Sequence, residues 1–189
     1  YYDCTMQLNW LENNTIDNAV LSDGFPEKMV LLDCETTGGR AKYHRVIEIG
    51  LLVIEKGQLV ESWQSFINPE TIIPRHIQKL TGISPKMVEN APKFGEISEI
   101  LHEKLKGRTL VAHNARFDYS FLKSEFERAG ITYSTKPLCS VKISRNLYPQ
   151  FKRHGLSEII RRFDLNIENR HRALDDAQMI YGFFIRTSA

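Results

Sequence analysis

Two acidic residues stand two positions apart at the end of the first predicted strand of this sequence. Asp33 and Glu35 follow the apolar run 29–32 and precede the turn-forming pair at 38–39. Because side chains alternate between the two faces of a strand, both carboxylates are predicted to project from the same face. Two anions this close repel each other, and burying a carboxylate without a partner of opposite charge is costly. Either a cation therefore lies nearby or both carboxylates are solvated.

Three further residues with suitable chemistry lie at the ends of later elements. Asp118 falls near the start of a predicted helix, where the helix dipole favours an anion, and Asn114 is the predicted N-cap. His171 precedes the last predicted helix and Asp176 lies in its first turn, so the imidazole can turn back over that turn. The neighbouring Asp175 points about 100° away from Asp176 on a helix, so only one of the two can face a common site. Taken singly, each position is also typical of a residue with a structural role.

Taken together, four carboxylates and one histidine indicate a specific kind of site. A cluster of acids is unstable without cations, and hard oxygen ligands suit Mg²⁺ or Mn²⁺. Two such ions about 3.5–4 Å apart form a clamp for in-line displacement at a phosphodiester. A histidine is suited to take the proton of the attacking water at neutral pH. We therefore expect two divalent metal ions, Mg²⁺ or Mn²⁺, as cofactors.

The elements that must position these residues follow from the hydrophobic pattern. Apolar runs over 29–35, 46–54 and 59–67 predict an antiparallel meander of three strands, and 109–112 predicts a central strand. Helical spacing predicts the helices. Their ranges are 75–80, 85–90, 94–105, 116–129, 141–147, 156–163 and 173–185. Strands and helices in this mixed order indicate an α/β fold with a mixed sheet covered by helices.

Composition excludes several classes of protein. With 42% hydrophobic and 25% charged residues, the chain is not expected to be disordered. No apolar run approaches the roughly 20 residues that a membrane helix needs, so no membrane partner is expected. The three widely spaced cysteines (Cys4, Cys34 and Cys139) form neither a disulfide framework nor a metal-type pair, which favours a cytoplasmic location.

Charge is unevenly distributed along the chain. Residues 1–28 are acidic and lack a clear period, and they are predicted to form an N-terminal arm beside a single domain over 29–189. Residues 136–172 carry nine lysines and arginines against three acidic residues. Such a basic stretch can attract phosphates. Charge alone is equally consistent with a solvated basic face.

Three motifs in order resemble those of the DnaQ-like DEDDh family of 3′–5′ exonucleases. Asp-x-Glu-Thr-Thr-Gly is matched at 33–38, His-Asn-x-x-Phe-Asp at 113–118, and His-x-Ala-x-x-Asp-Ala at 171–177. The last match selects Asp176 over Asp175. The segment Leu-Thr-Gly-Ile at 80–83 is similar to the family's segment beside the 3′-terminal nucleotide. The resemblance implies an RNase H-like, mixed five-stranded sheet flanked by helices.

The resemblance also implies an activity. The chain is similar to the proofreading epsilon subunit of bacterial DNA polymerase III and, through 139–145 and 171–174, to bacterial exonuclease domains fused to a GIY-YIG excinuclease-type region. It implies metal-dependent 3′–5′ hydrolysis of the terminal phosphodiester of DNA, with release of nucleoside 5′-monophosphates in proofreading or repair. The implied partners are a single-stranded 3′ end, with DNA favoured, and a DNA polymerase or a fused downstream nuclease domain.

Roles for individual residues follow from the same resemblance. Asp33, Glu35 and Asp176 would hold the first metal ion. Asp33 would bridge to the second ion, on which Asp118 would act directly or through water. His171 would be the general base. The residues expected at the substrate are Thr36, Thr37, Gly38, Ile83, His113, Asn114 and Phe117.

Several alternatives are open at this point. An RNA-directed 3′–5′ exoribonuclease uses the same chemistry, and the contact to the 2′-OH that separates RNA from DNA is not readable here. A DnaQ-like module could instead bind nucleic acid or a polymerase without cutting, although the complete set of acids argues against it. A metal-free interaction domain requires the carboxylates to point apart. Ile83 and Phe117 are also consistent with the core, and Asn114 with a helix cap.

Overall fold

The computed structural model describes residues 24–188, which form one mixed sheet covered by helices. The strands are β1 (Lys28–Thr36), β2 (Val46–Glu55), β3 (Gln58–Phe66), β4 (Thr109–Ala112) and β5 (Leu138–Cys139). Their order in the sheet is β3-β2-β1-β4-β5. Strands β1, β2 and β3 pair antiparallel, whereas β4 runs parallel to both β1 and β5. The predicted meander and the mixed five-stranded sheet are confirmed, whereas β4, which was predicted to be central, lies between the central strand β1 and β5.

The helices lie close to their predicted ranges. They are α1 (Arg75–Thr81), α2 (Pro85–Val88), α3 (Phe94–Leu105), α4 (Arg116–Arg128), α5 (Ser140–Leu147), α6 (Leu156–Phe163) and α7 (Ala173–Ser188). The sequence pattern did not locate β5, because a two-residue strand has no period of its own and exists only through its pairing with β4. Between residues 24 and 188, no helix has the length and apolar character needed to cross a bilayer.

Alternation along β1 explains why helices cover both faces of the sheet. Met29 and Leu31 are fully buried with α6 and α7 on one face, and the apolar residues between and after them pack with α3 and α4 on the other. Burial of each large apolar side chain contributes roughly 1.5–3 kcal/mol, which favours a covered sheet on both sides. Asp33 and Glu35 continue the face of Met29 and Leu31, so they point toward α7 where the apolar residues end.

The predicted arm falls mostly outside the described residues, which begin at residue 24. Of its last residues, Lys28 opens β1 and Phe25 packs against Phe184 of α7 with ring centroids 4.7 Å apart. The Glu27 carbonyl accepts the backbone N–H of Lys56 at 2.7 Å. The division of the chain at residues 28 and 29 stays a prediction.

Candidate active site

The end of β1 carries the first two candidate residues. Asp33 and Glu35 lie on the same face of β1, as period two predicts, and in the antiparallel register they stand opposite Gly50 and Glu48 of β2. A register shift between Glu35 and Thr36 then ends the regular pairing. The two carboxylates therefore project from the last regular residues of the central strand.

The start of α4 brings a third carboxylate to the same strand end. Asp118 is 2% exposed, and its Oδ1 accepts the backbone N–H of Cys34 at 3.0 Å. This contact places Asp118 beside the residue that separates Asp33 from Glu35. It depends on the parallel pairing of β4 with β1, because α4 begins shortly after β4 ends.

The start of α7 completes the group. One candidate ligand atom from each of Glu35, His171 and Asp176 lies within 4.8 Å of the other two. Asp176 is 5% exposed. His171 has a φ of 61°, a left-handed conformation that few residues other than glycine adopt. The five predicted residues thus converge from β1, α4 and the start of α7, and the alternative of carboxylates that point apart is wrong.

Arg170 is a member of the site that sequence reasoning missed. Its guanidinium donates from Nη1 to Oδ1 of Asp176 and from Nη2 to Oγ of Ser157 at 3.3 Å. In the sequence Arg170 was only one of many basic residues between 136 and 172. Its position directly before His171 was the available signal, since a cation there lies at the acidic cluster.

Burial raises the pKa of all four carboxyls in the group, and repulsion from neighbouring carboxylates adds to this for Asp33 and Glu35. Burial raises the pKa of Glu35 to about 8, with further increases from Asp176 and Glu48. Burial also raises the pKa of Asp118 to about 8, against the lowering effect of the Cys34 N–H. The pKa of Asp33 is well above its usual range, through burial and then through Asp118. One guanidinium offsets these negative charges only in part, and the all-oxygen carboxylate set fits hard divalent cations.

The stability of the metal-free protein is expected to fall as the pH rises from about 5 to about 8. Because the pKa values of Glu35 and Asp118 are raised to about 8 in the folded protein, the folded state holds more protons than the unfolded state, whose carboxyls titrate near about pH 4. The free energy of unfolding therefore decreases with pH across this window. In EDTA the melting temperature should drop by roughly 5 °C or more, since about 1 kcal/mol corresponds to about 2–4 °C at this chain length.

The variant Asp118→Asn is the control for this pH dependence. It removes one of the repelling groups, so it should flatten the slope and raise the melting temperature at about pH 8 in EDTA. Mg²⁺ should stabilise the wild-type protein more at about pH 8 than at about pH 5, where protons compete for the same oxygens. If the melting temperatures of the wild-type protein and of Asp118→Asn change in parallel between about pH 5 and about pH 8, Asp118 is not one of the groups whose raised pKa causes the pH dependence.

The segment Thr36–Gly38 makes a tight turn next to the carboxylates. The Thr36 hydroxyl donates to the carbonyl of Gly38 at 2.8 Å, and the Thr37 hydroxyl accepts the backbone N–H of Arg45 at 3.0 Å. A Cβ at position 38 would stand 2.4 Å from the ring of His44, so any larger residue there would force that ring to move. Both hydroxyls already have partners within the protein, and their contact with substrate stays a prediction.

Two of the predicted substrate residues have structural positions that differ from the expectation. Asn114 is not the N-cap of α4: the cap position is Ala115, and exposed Asn114 has a left-handed φ of 64° in the turn before it. Ile83 is fully buried among Ile47, Ile77 and their neighbours, so its side chain has no surface for a nucleotide. The core interpretation therefore holds for Ile83.

The remaining two predicted substrate residues, His113 and Phe117, lie at the end of the sheet that carries the carboxylates. Phe117 is half-buried, with its ring 4.9 Å from that of Phe121. His113 has Nδ1 2.9 Å from the Ser140 hydroxyl, a contact that sequence reasoning did not identify, and its buried Nε2 has no hydrogen-bond partner among the described residues. Burial and the charge of Arg170 lower the pKa of His113 to about 4. His113 is therefore neutral at neutral pH.

Known proteins have sequences similar to that of this chain. The family model RNase_T, described as Exonuclease, matches residues 30–184. The PolC-type DNA polymerase III of Caldanaerobacter subterraneus subsp. tengcongensis is 37% identical over 159 residues, which are 84% of this chain and 11% of that protein. The 3′-5′ exonuclease DinG of Bacillus subtilis is 38% identical over 155 residues, 81% of this chain and 17% of that protein. This chain therefore spans only a small part of the length of these relatives.

A solved structure shares the fold. The nuclease domain of 3′hExo, a DEDDh family member bound to rAMP, has a TM-score of 0.74 and 19% sequence identity. The likeness covers 88% of this chain and 94% of that one. At this identity the likeness concerns the fold, which is the RNase H-like arrangement that the sequence motifs implied.

Proposed function

Because the chain belongs to the RNase_T family of exonucleases and is a hydrolytic exonuclease domain of the DnaQ-like DEDDh type, we propose that its substrate is the 3′ end of DNA. The observation that carries the proposal is the convergence of an imidazole and buried carboxylates at one strand end, with Glu35, His171 and Asp176 within 4.8 Å. A site this acidic attracts a phosphodiester only when cations are bound.

Each member of the site has a role in this proposal. Asp33, Glu35 and Asp176 would hold one divalent ion, and Asp33 and Asp118 would face a second. The ions, when bound, supply activation of a water molecule and stabilisation of charge on the leaving oxygen. His171 accepts the proton of the water that attacks the phosphorus. The bond to the 3′ oxygen breaks, that oxygen is protonated from solvent, and a nucleoside 5′-monophosphate leaves.

The residues around the carboxylates orient the strand. Main-chain groups of the turn Thr36–Gly38 lie along the terminal nucleotide in this proposal, and the half-buried ring of Phe117 offers an apolar contact. His113 and Asn114 shape the site from the turn after β4. The basic stretch over 136–172 supports a polyanionic substrate, because lysine and arginine side chains attract phosphates.

Two observations favour DNA and a larger assembly. Relatives at 37% and 38% identity are a PolC-type DNA polymerase III and the exonuclease DinG, and both are far longer than this chain. We infer that the domain acts in proofreading or repair beside a DNA polymerase or a fused nuclease domain. The similarity to GIY-YIG fusion proteins stays a prediction.

A digestion assay tests the substrate. Matched DNA and RNA oligomers, 5′-labelled and single-stranded, duplex or mismatched, are incubated with Mg²⁺, Mn²⁺ or EDTA. We expect stepwise shortening from the 3′ end with either metal, release of mononucleotides, no reaction in EDTA, and faster cleavage of DNA than of RNA. Faster cleavage of RNA would make the enzyme an exoribonuclease. Tight binding without release in Mn²⁺ would support the non-cutting module instead.

A further inference from the structure

The start of α7 lies against two residues of β2 that no motif of the sequence singled out. Glu48 and Gly50 share one face of β2, and in the antiparallel register Glu48 stands opposite Glu35 and Gly50 opposite Asp33. We call Glu48 and Gly50 the α7 seat. The seat is therefore one strand away from the carboxylates of β1.

Glu48 holds the start of α7 through charge. Its side chain is 2% exposed and accepts three contacts from the Arg172 guanidinium: Nη2 to Oε1 at 2.8 Å, Nε to Oε1 at 3.1 Å and Nε to Oε2 at 3.2 Å. It also accepts the backbone N–H of Ala173 at 3.1 Å. That N–H belongs to the first residue of α7 and has no partner inside the helix, and an anion there is favoured by the helix dipole.

Gly50 lets the helix start approach the sheet. A Cβ at position 50 would lie 2.1 Å from the nitrogen of Leu174 and 2.4 Å from the carbonyl carbon of Ala173. Both are backbone atoms, which cannot move aside as the end of a flexible side chain could. Any larger residue at position 50 would therefore push the first turn of α7 away from β2.

His171 lies between two anchored arginines. Its left-handed φ of 61° is sparsely populated for residues with a side chain, and such a conformation persists only when its surroundings hold it. On one side Arg170 binds Asp176, and on the other Arg172 binds Glu48. The place of the imidazole therefore depends on the α7 seat.

We propose that Glu48, supported by Gly50, is a positioning residue that sets where His171 and Asp176 stand relative to Glu35. The inference rests on the proposed function, because the positions it fixes are those of the proposed base and metal ligand. Without the carboxylate of Glu48, the first turn of α7 loses its ionic attachment to β2. The candidate ligand atoms then spread apart, while the turn after β1 that would contact the nucleotide stays in place.

The variant Glu48→Gln tests this inference with two measurements. We expect kcat to fall about 10–100-fold, the usual cost of losing an outer partner of a metal site. We expect KM for the oligonucleotide to stay within about threefold, because uniform substrate binding is unchanged. Calorimetric titration with Mn²⁺ alone, without nucleic acid, should show binding weakened about 10-fold.

A matched control is available on the other face of the sheet. The Glu125 side chain is 1% exposed and accepts both the Arg45 guanidinium at 2.8 Å and a backbone N–H, that of Val46, at 3.1 Å. The variant Glu125→Gln should lower the urea midpoint of unfolding about as much as Glu48→Gln does. Its kcat and its Mn²⁺ affinity should stay near those of the wild-type protein.

Arg172 provides two further tests, and the first of them keeps the inference falsifiable if Glu48→Gln folds poorly. Arg172→Lys keeps a cation but loses the two-pronged contact, so kcat and Mn²⁺ affinity should both be intermediate. The double variant Glu48→Gln/Arg172→Gln should be no slower than the slower of its two single variants, Glu48→Gln and Arg172→Gln. Both substitutions break the same ion pair, so their effects should not add.

The outcomes separate this inference from the proposed function. If the Glu48→Gln protein is destabilised but keeps the wild-type kcat and Mn²⁺ affinity, the positioning role of Glu48 is wrong. Glu48 would then have a structural role only. If the wild-type protein releases no mononucleotides, the proposed function fails. The Mn²⁺ titrations of Glu48→Gln, Arg172→Lys and Glu125→Gln still decide whether the α7 seat positions the cluster.

Discussion

Replacing Asp33 or Asp176 with asparagine is expected to lower the rate of mononucleotide release by on the order of 10⁴-fold or more. Each variant removes a charged oxygen from the centre of the cluster, and loss of about 5 kcal/mol of transition-state stabilisation corresponds to a factor of this size. The fold should persist, because the pKa values of both groups are raised and the folded protein therefore favours an uncharged side chain at both positions. Less repulsion should leave the urea midpoint in EDTA unchanged or higher at about pH 8.

Asp175 provides the matched control for Asp176. The two residues are adjacent in the first turn of α7, yet Asp176 joins Glu35 and His171 whereas Asp175 does not. Asp175→Asn should retain the rate within about threefold, since it removes the same charge from the same turn without touching the cluster. The assignment is wrong if Asp175→Asn and Asp176→Asn are equally slow, or if Asp33→Asn keeps more than about a tenth of the wild-type rate.

Replacing His171 with alanine is expected to reduce kcat by roughly 10²–10⁴-fold, as for the loss of a general base. The carboxylates stay in place, so Mn²⁺ should still bind and the oligonucleotide should still be held. Added imidazole should restore part of the rate, because a free base can enter the space that the side chain leaves. Single-turnover digestion of a labelled single strand, with and without imidazole, measures both effects.

His102 serves as the control histidine. It lies on α3, where its ring packs against those of Phe126 and Tyr133 on the opposite face of the sheet. His102→Ala should lose stability through this packing while its rate stays near that of the wild-type protein, with no response to imidazole. A His171→Ala protein that cleaves at the wild-type rate would remove the base from the mechanism.

Much of the site could be predicted from the sequence, because its signals are local. The shared face of Asp33 and Glu35 follows from the period of a strand, and the places of Asp118 and Asp176 follow from where helices begin. The choice of Asp176 over Asp175 came from motif resemblance, and the structure places Asp176 in the cluster. The prediction that Asn114 is the N-cap of α4 was wrong. Asn114 has a left-handed backbone conformation in the preceding turn, so the N-cap is one residue later, at Ala115.

Local pattern by itself thus determined the elements of this chain other than β5, and the residues that stand at their ends, because strand and helix periods are properties of neighbouring residues. Only the tertiary structure decided the order β3-β2-β1-β4-β5, which brings α4 and α7 to the same end of β1. It also decided that Arg170 lies against Asp176 and that Glu48 holds Arg172. These contacts join residues from separate elements, and no period in the sequence encodes a distance between elements.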